Sequence, residues 1–114
     1  MTIDIENRIR RGESFILAAD GRFLGKLTSN KYDVESIYNQ YGIYGSKYSG
    51  MSIWNKFCPY GSPYSIYSPY NSFSTTPPQL FLRGVLVGYL TTNKYINNNV
   101  NPAMLALWIK NNNL

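Results

Sequence analysis

Histidine is absent from this sequence, and cysteine occurs once, at position 58. Without an imidazole there is no Ser-His-Asp or Cys-His arrangement, and the commonest metal ligand is missing. One thiol cannot close an intrachain disulfide, and with no imidazole beside it cannot supply the four N/S ligands of structural zinc. A lone cysteine fits a reducing compartment. Long apolar runs are missing too. The longest, about residues 103–109 and 80–90, fall short of the roughly 20 residues a bilayer span needs, and Arg83 and two glycines interrupt the second. No membrane span is expected. Asp4 and Glu6 stand where a signal peptide would be basic, and no apolar segment follows them. The default expectation is a soluble cytoplasmic protein.

Acidic residues are also missing from most of the chain. All six (Asp4, Glu6, Glu13, Asp20, Asp33 and Glu35) lie within residues 1–35, where six bases balance them. The whole net charge of +5 therefore resides in Lys47, Lys56, Arg83, Lys94 and Lys110. Such asymmetry can mark an anionic partner, although five scattered charges form no dense patch. What the chain has in quantity is tyrosine, 11 in 114 residues. Tyrosine packs through its ring and needs a partner or water for its hydroxyl. The length suits a single domain, residues 1–114, with a small aliphatic core and an aromatic, hydroxyl-rich surface.

Two internal repeats organise it. Residues 21–32 and 84–95 match at a constant offset of 63, sharing both glycines and the Leu, Thr, Asn, Lys and Tyr of their tails. Each reads as the return strand of a β-hairpin. Residues 15–19 lead through Asp20-Gly21 to residues 22–27, and residues 80–82 lead through Arg83-Gly84 to residues 85–90. Gly25 and Gly88 inside the return strands predict a bulge or a close backbone approach. Two short hairpins cannot bury their apolar faces alone, so the expected fold is mainly β with minor α. Its hairpins, at 15–32 and 79–95, would form one small sheet or barrel.

Between them, residues 33–76 repeat with period 16. Ser36-Ile37-Tyr38-Asn39 recurs as Ser52-Ile53-Trp54-Asn55, and Tyr44-Gly45-Ser46-Lys47-Tyr48-Ser49 recurs as Tyr60-Gly61-Ser62-Pro63-Tyr64-Ser65. The Gly/Ser/Pro/Tyr composition also suits a disordered linker. Exact spacing and recurrent Ile and aromatic positions argue instead for ordered loops, with Ser and Asn capping turns. At the ends, residues 3–11 predict a short amphipathic helix stopped by Gly12. Asn101-Pro102 predicts the start of a second helix through Lys110. That segment, residues 101–110, is apolar nearly all round and must be buried or bind something.

The stretch from Asp20-Gly21 through Asn30-Lys31-Tyr32-Asp33, Ser36-Ile37-Tyr38-Asn39 and Tyr41-Gly42-Ile43-Tyr44-Gly45-Ser46-Lys47-Tyr48-Ser49 resembles an uncharacterised family of short bacterial, often cyanobacterial, proteins. These carry repeats of the type DGxxLGxLxxNxYDxxSIxNxYGxYGSxYS. The resemblance covers roughly residues 16–75 well and the second hairpin loosely. It implies no activity, cofactor or site. The second copy departs from the pattern at Phe57-Cys58-Pro59, and the second hairpin lacks the Asp-Gly turn.

Chemistry-bearing constellations are scarce. Cys58 has no histidine to activate it, and a satisfied core or loop thiol is expected. Asp33 and Glu35 fall where a turn begins, which explains Asp33 as a capping residue. No calcium loop and no nucleotide-binding glycine loop is present. The sequence thus points away from an enzyme and implies no cofactor or metal. Binding fits better. Tyr38, Tyr41, Tyr44, Tyr48, Trp54, Tyr60, Tyr64 and Tyr67, with Lys47 and Lys56, form a candidate binding surface: rigid aromatic area among adaptable Ser, Asn and Gly. The expected role is a binding or adaptor module contacting a protein partner or a second copy of itself. Single-stranded nucleic acid, through stacking and Lys/Arg contacts, and glycan binding are the alternatives. Against all of these stands a purely structural reading, in which the tyrosines wrap the sheet.

Overall fold

The computed structural model describes residues 2–114. Helix α1 spans Ile3–Arg10, with the Thr2 hydroxyl accepting the Ile5 amide. Acidic residues in its first turn and basic ones in its last complement the helix dipole. Strands β1 (Phe15–Leu17), β2 (Phe23–Lys26), β3 (Gln79–Leu82), β4 (Val85–Leu90) and β5 (Asn99–Val100) form one sheet in the order β2-β1-β3-β4-β5. Only the β4–β5 pair is parallel. A 3-10 turn at Pro102–Met104, capped by the Asn101 side chain on the Ala103 amide, leads into α2 (Leu105–Asn111).

The molecule is mainly β with minor α, and the two hairpins do share a sheet. They pair through β1 and β3, with Phe15 opposite Phe81 and Ile16 opposite Leu80. The turn between β3 and β4 places both Arg83 (φ +49°) and Gly84 (φ +83°) in the left-handed region, as a two-residue hairpin of matching twist requires. The barrel alternative does not hold: the sheet stays open. Its β2 edge is occupied by the segment that follows. The Lys26 amide donates to the Glu35 carbonyl at 2.7 Å, and the Ile37 amide donates to the Lys26 carbonyl at 3.2 Å. Gly25 sits at this approach, where a Cβ would lie 2.7 Å from Ile37 Cγ2.

Each sheet face has its own core. Phe15, Leu17, Phe23 and Phe81 pack with Ile5 and Ile9 of α1, the Phe15 and Phe81 rings stacked at 4.8 Å. On the other face Ile16, Leu24, Leu80 and Leu90 meet Leu105 and Ile109 of α2, together with Ile37 and Ile53. The last two come from the period-16 region. The C-terminal segment is therefore buried on one face only, and Leu107 and Met104 on the other remain about half exposed.

The period-16 region is ordered, and its unit is a turn of three residues. Amides donate to carbonyls three residues back in a nearly unbroken series: Ser36 to Asp33, Asn39 to Ser36, Ser52 to Ser49, Asn55 to Ser52 and Cys58 to Asn55 among them. Except at Gly42 and Cys58, the residue heading a turn accepts, through its side chain, the amide two residues on. Ser36 holds Tyr38, Asn39 holds Tyr41, Ser46 holds Tyr48, Ser52 holds Trp54 and Asn55 holds Phe57. These are the local side-chain-to-backbone bonds that favour Ser and Asn in turns. Five such turns and one linking residue, Gly45, Gly61 or Pro77, complete a coil. The coils are residues 30–45, 46–61 and 62–77.

Within each coil the fourth turn's Asn reaches back across it. The side-chain amides of Asn39, Asn55 and Asn71 donate to the carbonyls of Asp33, Ser49 and Ser65. Inward-facing Ser36, Ser52 and Ser68 are fully buried, as are Ile37 and Ile53 beside them. The two ends of the stack are tied to the hairpins. Coil one is bridged to β2 as above. Coil three receives the Thr92 amide on the Pro69 carbonyl at 2.8 Å and the Asn93 side-chain amide on the Ser74 carbonyl at 3.0 Å.

Candidate functional site

Because turn heads are Ser or Asn except at Asp33, Gly42 and Cys58, and the third residue of a turn is commonly aromatic, equivalent rings recur on successive coils. Tyr38, Trp54 and Tyr70 come from the third turn of each coil and are half-buried. The Tyr38 and Trp54 rings lie 5.9 Å apart, and the Trp54 indole N–H donates to the Ile37 carbonyl at 2.6 Å. Burial raises the phenol pKa of Tyr38, with a smaller contribution from Tyr70, and burial alone raises that of Tyr70. Both hydroxyls therefore stay neutral at any ordinary pH. Outside this row stand rings held on tight turns yet almost wholly exposed: Tyr41 at 99%, Phe57 at 87%, Tyr48 at 82% and Tyr64 at 91%.

Three grooves run between these rings. The first, about 540 Å³, is lined by Lys31, Tyr32, Tyr38, Asn39, Gln40 and Tyr41. The second, about 560 Å³, is lined by Ile37, Tyr38, Gln40, Tyr41, Gly45, Ser46, Lys47, Tyr48 and Trp54. The third, about 370 Å³, is lined by Ile53, Trp54, Lys56, Gly61, Pro63 and Tyr70. Every residue of the third groove lies sixteen positions beyond a residue of the second. Tyr38 and Tyr41 wall both the first and the second, and Trp54 walls both the second and the third. The three grooves adjoin one another as a segmented trough along the coil stack.

The electrostatics of this trough are one-sided. Each groove contains one lysine (Lys31, Lys47 or Lys56) and no Asp or Glu. Their ammonium groups lie 5.6, 5.3 and 5.5 Å from the ring centres of Tyr32, Tyr48 and Phe57 respectively. Among the described residues none of the three is ion-paired. The carboxylates are engaged elsewhere. The nearly buried Arg8 guanidinium binds Asp4, Glu13 and Glu35 at 3.0, 2.8 and 2.6 Å while lying 3.7 Å from the Phe23 ring centre, and Lys26 pairs with Asp33 at 3.4 Å.

Of the residues picked out from sequence, Tyr38, Tyr41, Lys47, Tyr48 and Trp54 converge on the second groove, and Lys56 lines the third. Tyr64 is exposed on coil three. Three others face inward. Tyr44 meets Phe23 edge-on at 4.9 Å, Tyr60 donates its hydroxyl to Asp20 at 2.7 Å, and Tyr67 packs on Tyr60 and the core. Burial first, then the Asp20 hydrogen bond, pushes the Tyr60 phenol up to about 12. Tyr70, part of the same aromatic series in the sequence, lines the third groove, whereas sequence reasoning missed Lys31, Tyr32 and Gln40. The Lys-aromatic pair at positions 31–32, sixteen before Lys47-Tyr48, was the signal that could have found the first two.

Cys58 heads a turn and is buried, its thiol donating to the Ser52 carbonyl at 3.3 Å. Asp33 heads another, accepting the Glu35 amide at 2.9 Å. Among the described residues no three His, Cys, Asp or Glu side chains gather as a metal site, and no helix is long and apolar enough to cross a membrane. No family model, curated protein or solved structure matches the chain.

Proposed function

We propose that this chain is a non-enzymatic binding module whose contact surface is the aromatic trough of the coil stack. One observation carries the reading: the trough is periodic, presenting equivalent grooves at equivalent positions of successive coils. Core packing alone does not call for exposed rings. Those of Tyr41, Tyr48 and Phe57 nevertheless stand in water on turns rigid enough to pre-organise them, which lowers the entropic cost of contact. The carboxylates argue against acid/base chemistry, since Asp33, Glu35 and Glu13 are all held by Arg8 or Lys26. Protein contact and polyanion contact are both served by such a surface. The lysine in each groove favours the polyanion.

The test is capture from native extract with the wild-type chain and with Tyr41→Ala and Trp54→Ala, followed by size analysis. The reading expects enriched material that the variants lose while their circular dichroism stays native. A solitary monomer, or capture indifferent to both substitutions, overturns it.

A further inference from the structure

We infer that the ligand of the trough is a single-stranded nucleic acid, an assignment that rests on the binding-module reading above. A single strand offers, at every step, one negative charge and one planar ring able to stack. The trough offers, at every groove, one unpaired ammonium and at least one aromatic ring: Lys31 with Tyr38, Lys47 with Trp54, Lys56 with Tyr70. Shared walls at Tyr38, Tyr41 and Trp54 set the grooves side by side, so a strand crossing from one to the next passes over an aromatic ring. No carboxylate lines any of them, which removes the repulsion that would oppose phosphate. Stacking tolerates any base, so binding is expected to be largely independent of sequence.

Charge placement over the whole chain agrees. Asp4, Glu13, Asp33 and Glu35 cluster with Arg8, Arg11 and Lys26 around α1 and β2, while among the described residues Lys31, Lys47 and Lys56 have no acidic partner. A neutral glycan offers these cations no charge to neutralise, and a protein partner would need an acidic group opposite each of them. A phosphodiester strand carries that pattern intrinsically.

The experiment is fluorescence anisotropy of labelled oligo-dT and oligo-rU, each about 12 nucleotides long, within the roughly 4–16 nucleotides that single-strand sites occupy. The expected result is binding at about 50 mM salt, with log K falling against log[salt] at a slope near −2 for three phosphate contacts. Trp54→Ala should weaken it by about 5- to 100-fold. Because Trp54 also bonds the Ile37 carbonyl, the exposed Tyr41→Ala and Lys47→Ala are the cleaner variants. Tyr41→Ala should weaken binding several-fold, and Lys47→Ala should make the salt slope shallower by about 0.7. Lys110→Ala, outside the trough, should change neither. Comparing the two oligonucleotides shows whether the sugar matters. No binding of either at low salt overturns the inference, as does binding indifferent to Tyr41→Ala and Lys47→Ala. If neither oligonucleotide binds but material captured from extract is still lost in Tyr41→Ala, the strand assignment fails and the binding-module reading stands.

Discussion

Nearly every turn of the coil stack, those headed by Gly42 and Cys58 excepted, is held by one side chain reaching its own backbone, and in each coil one asparagine does this twice over. Asn55 accepts the Phe57 amide at 3.0 Å, donates to the Ser49 carbonyl at 2.9 Å and is only 8% exposed. Asn55→Ala would strand both groups, for a cost of about 1–3 kcal/mol, read as a lower urea midpoint. A loss under about 0.5 kcal/mol would mean water replaces the side chain freely. Tyr60 makes a pH-dependent contribution. Its folded pKa, near 12, is raised above the ordinary value of 10, so the fold prefers the protonated phenol. The stabilisation is fully present below pH ~10 and is lost as pH rises through ~12. Tyr38, Tyr44 and Tyr70 shift in the same direction through burial. Thermal melts across this window should show stability falling, and Tyr60→Phe should fall less steeply. At this scale the sequence was only partly informative. Tyr48 and Tyr44 are the same residue type in the same repeat, yet one stands in water and the other packs on Phe23. Orientation follows from which turn of the coil a ring occupies, and residue type does not encode that.

Among the elements, the coils are the least familiar and the sheet the most legible. Hairpin turns announce themselves through Asp-Gly and Arg-Gly between apolar runs, and the pairing of two short hairpins follows from their need to bury a shared face. The sixteen-residue period was visible because identical residues recur. The three-residue turn inside it is hard to read from sequence, since it is written in Ser and Asn and not in the apolar alternation that betrays helices and strands. The linking glycines carry a structural requirement that sequence alone does not reveal. A Cβ on Gly45 or Gly61 would fall on the carbonyl of Asn39 or Asn55, whereas Gly50 has open space around it and an ordinary φ. Gly61→Ala should therefore destabilise by about 1–3 kcal/mol or more, and Gly50→Ala should stay within about 0.5 kcal/mol of wild type. Equal denaturation midpoints for the two variants would contradict the coil geometry.

Across the whole molecule, charge is sorted into two regions. The ion-paired cluster around Arg8 is expected to make the fold acid-sensitive. Burial opposes ionisation of Glu13, but hydrogen bonds from Arg11 and Arg8 outweigh it and hold its pKa below the usual carboxylate value. Asp33 is likewise held down, chiefly by the Glu35 amide. Groups shifted down stabilise above their unfolded pKa, near 4, and lose that contribution as pH falls through the folded value. Stability should thus be flat from about pH 6 to 5 and decline below about pH 4, and Glu13→Gln should blunt the decline. The lysines of the coil face, free of carboxylates, are the other region, and the trough they line is where the functional reading rests. Its most direct test uses the chain's two tryptophans. Trp54 lies in the trough, with its indole N–H on the Ile37 carbonyl, while Trp108 belongs to α2. Titrating isotope-labelled protein with oligo-dT and following both indole N–H signals by NMR separates the two locations in one spectrum. The account predicts that the Trp54 signal moves, together with the amides of Tyr41, Lys47 and Tyr48, while that of Trp108 stays still. A shift confined to Trp108, or no shift at either indole, would contradict it.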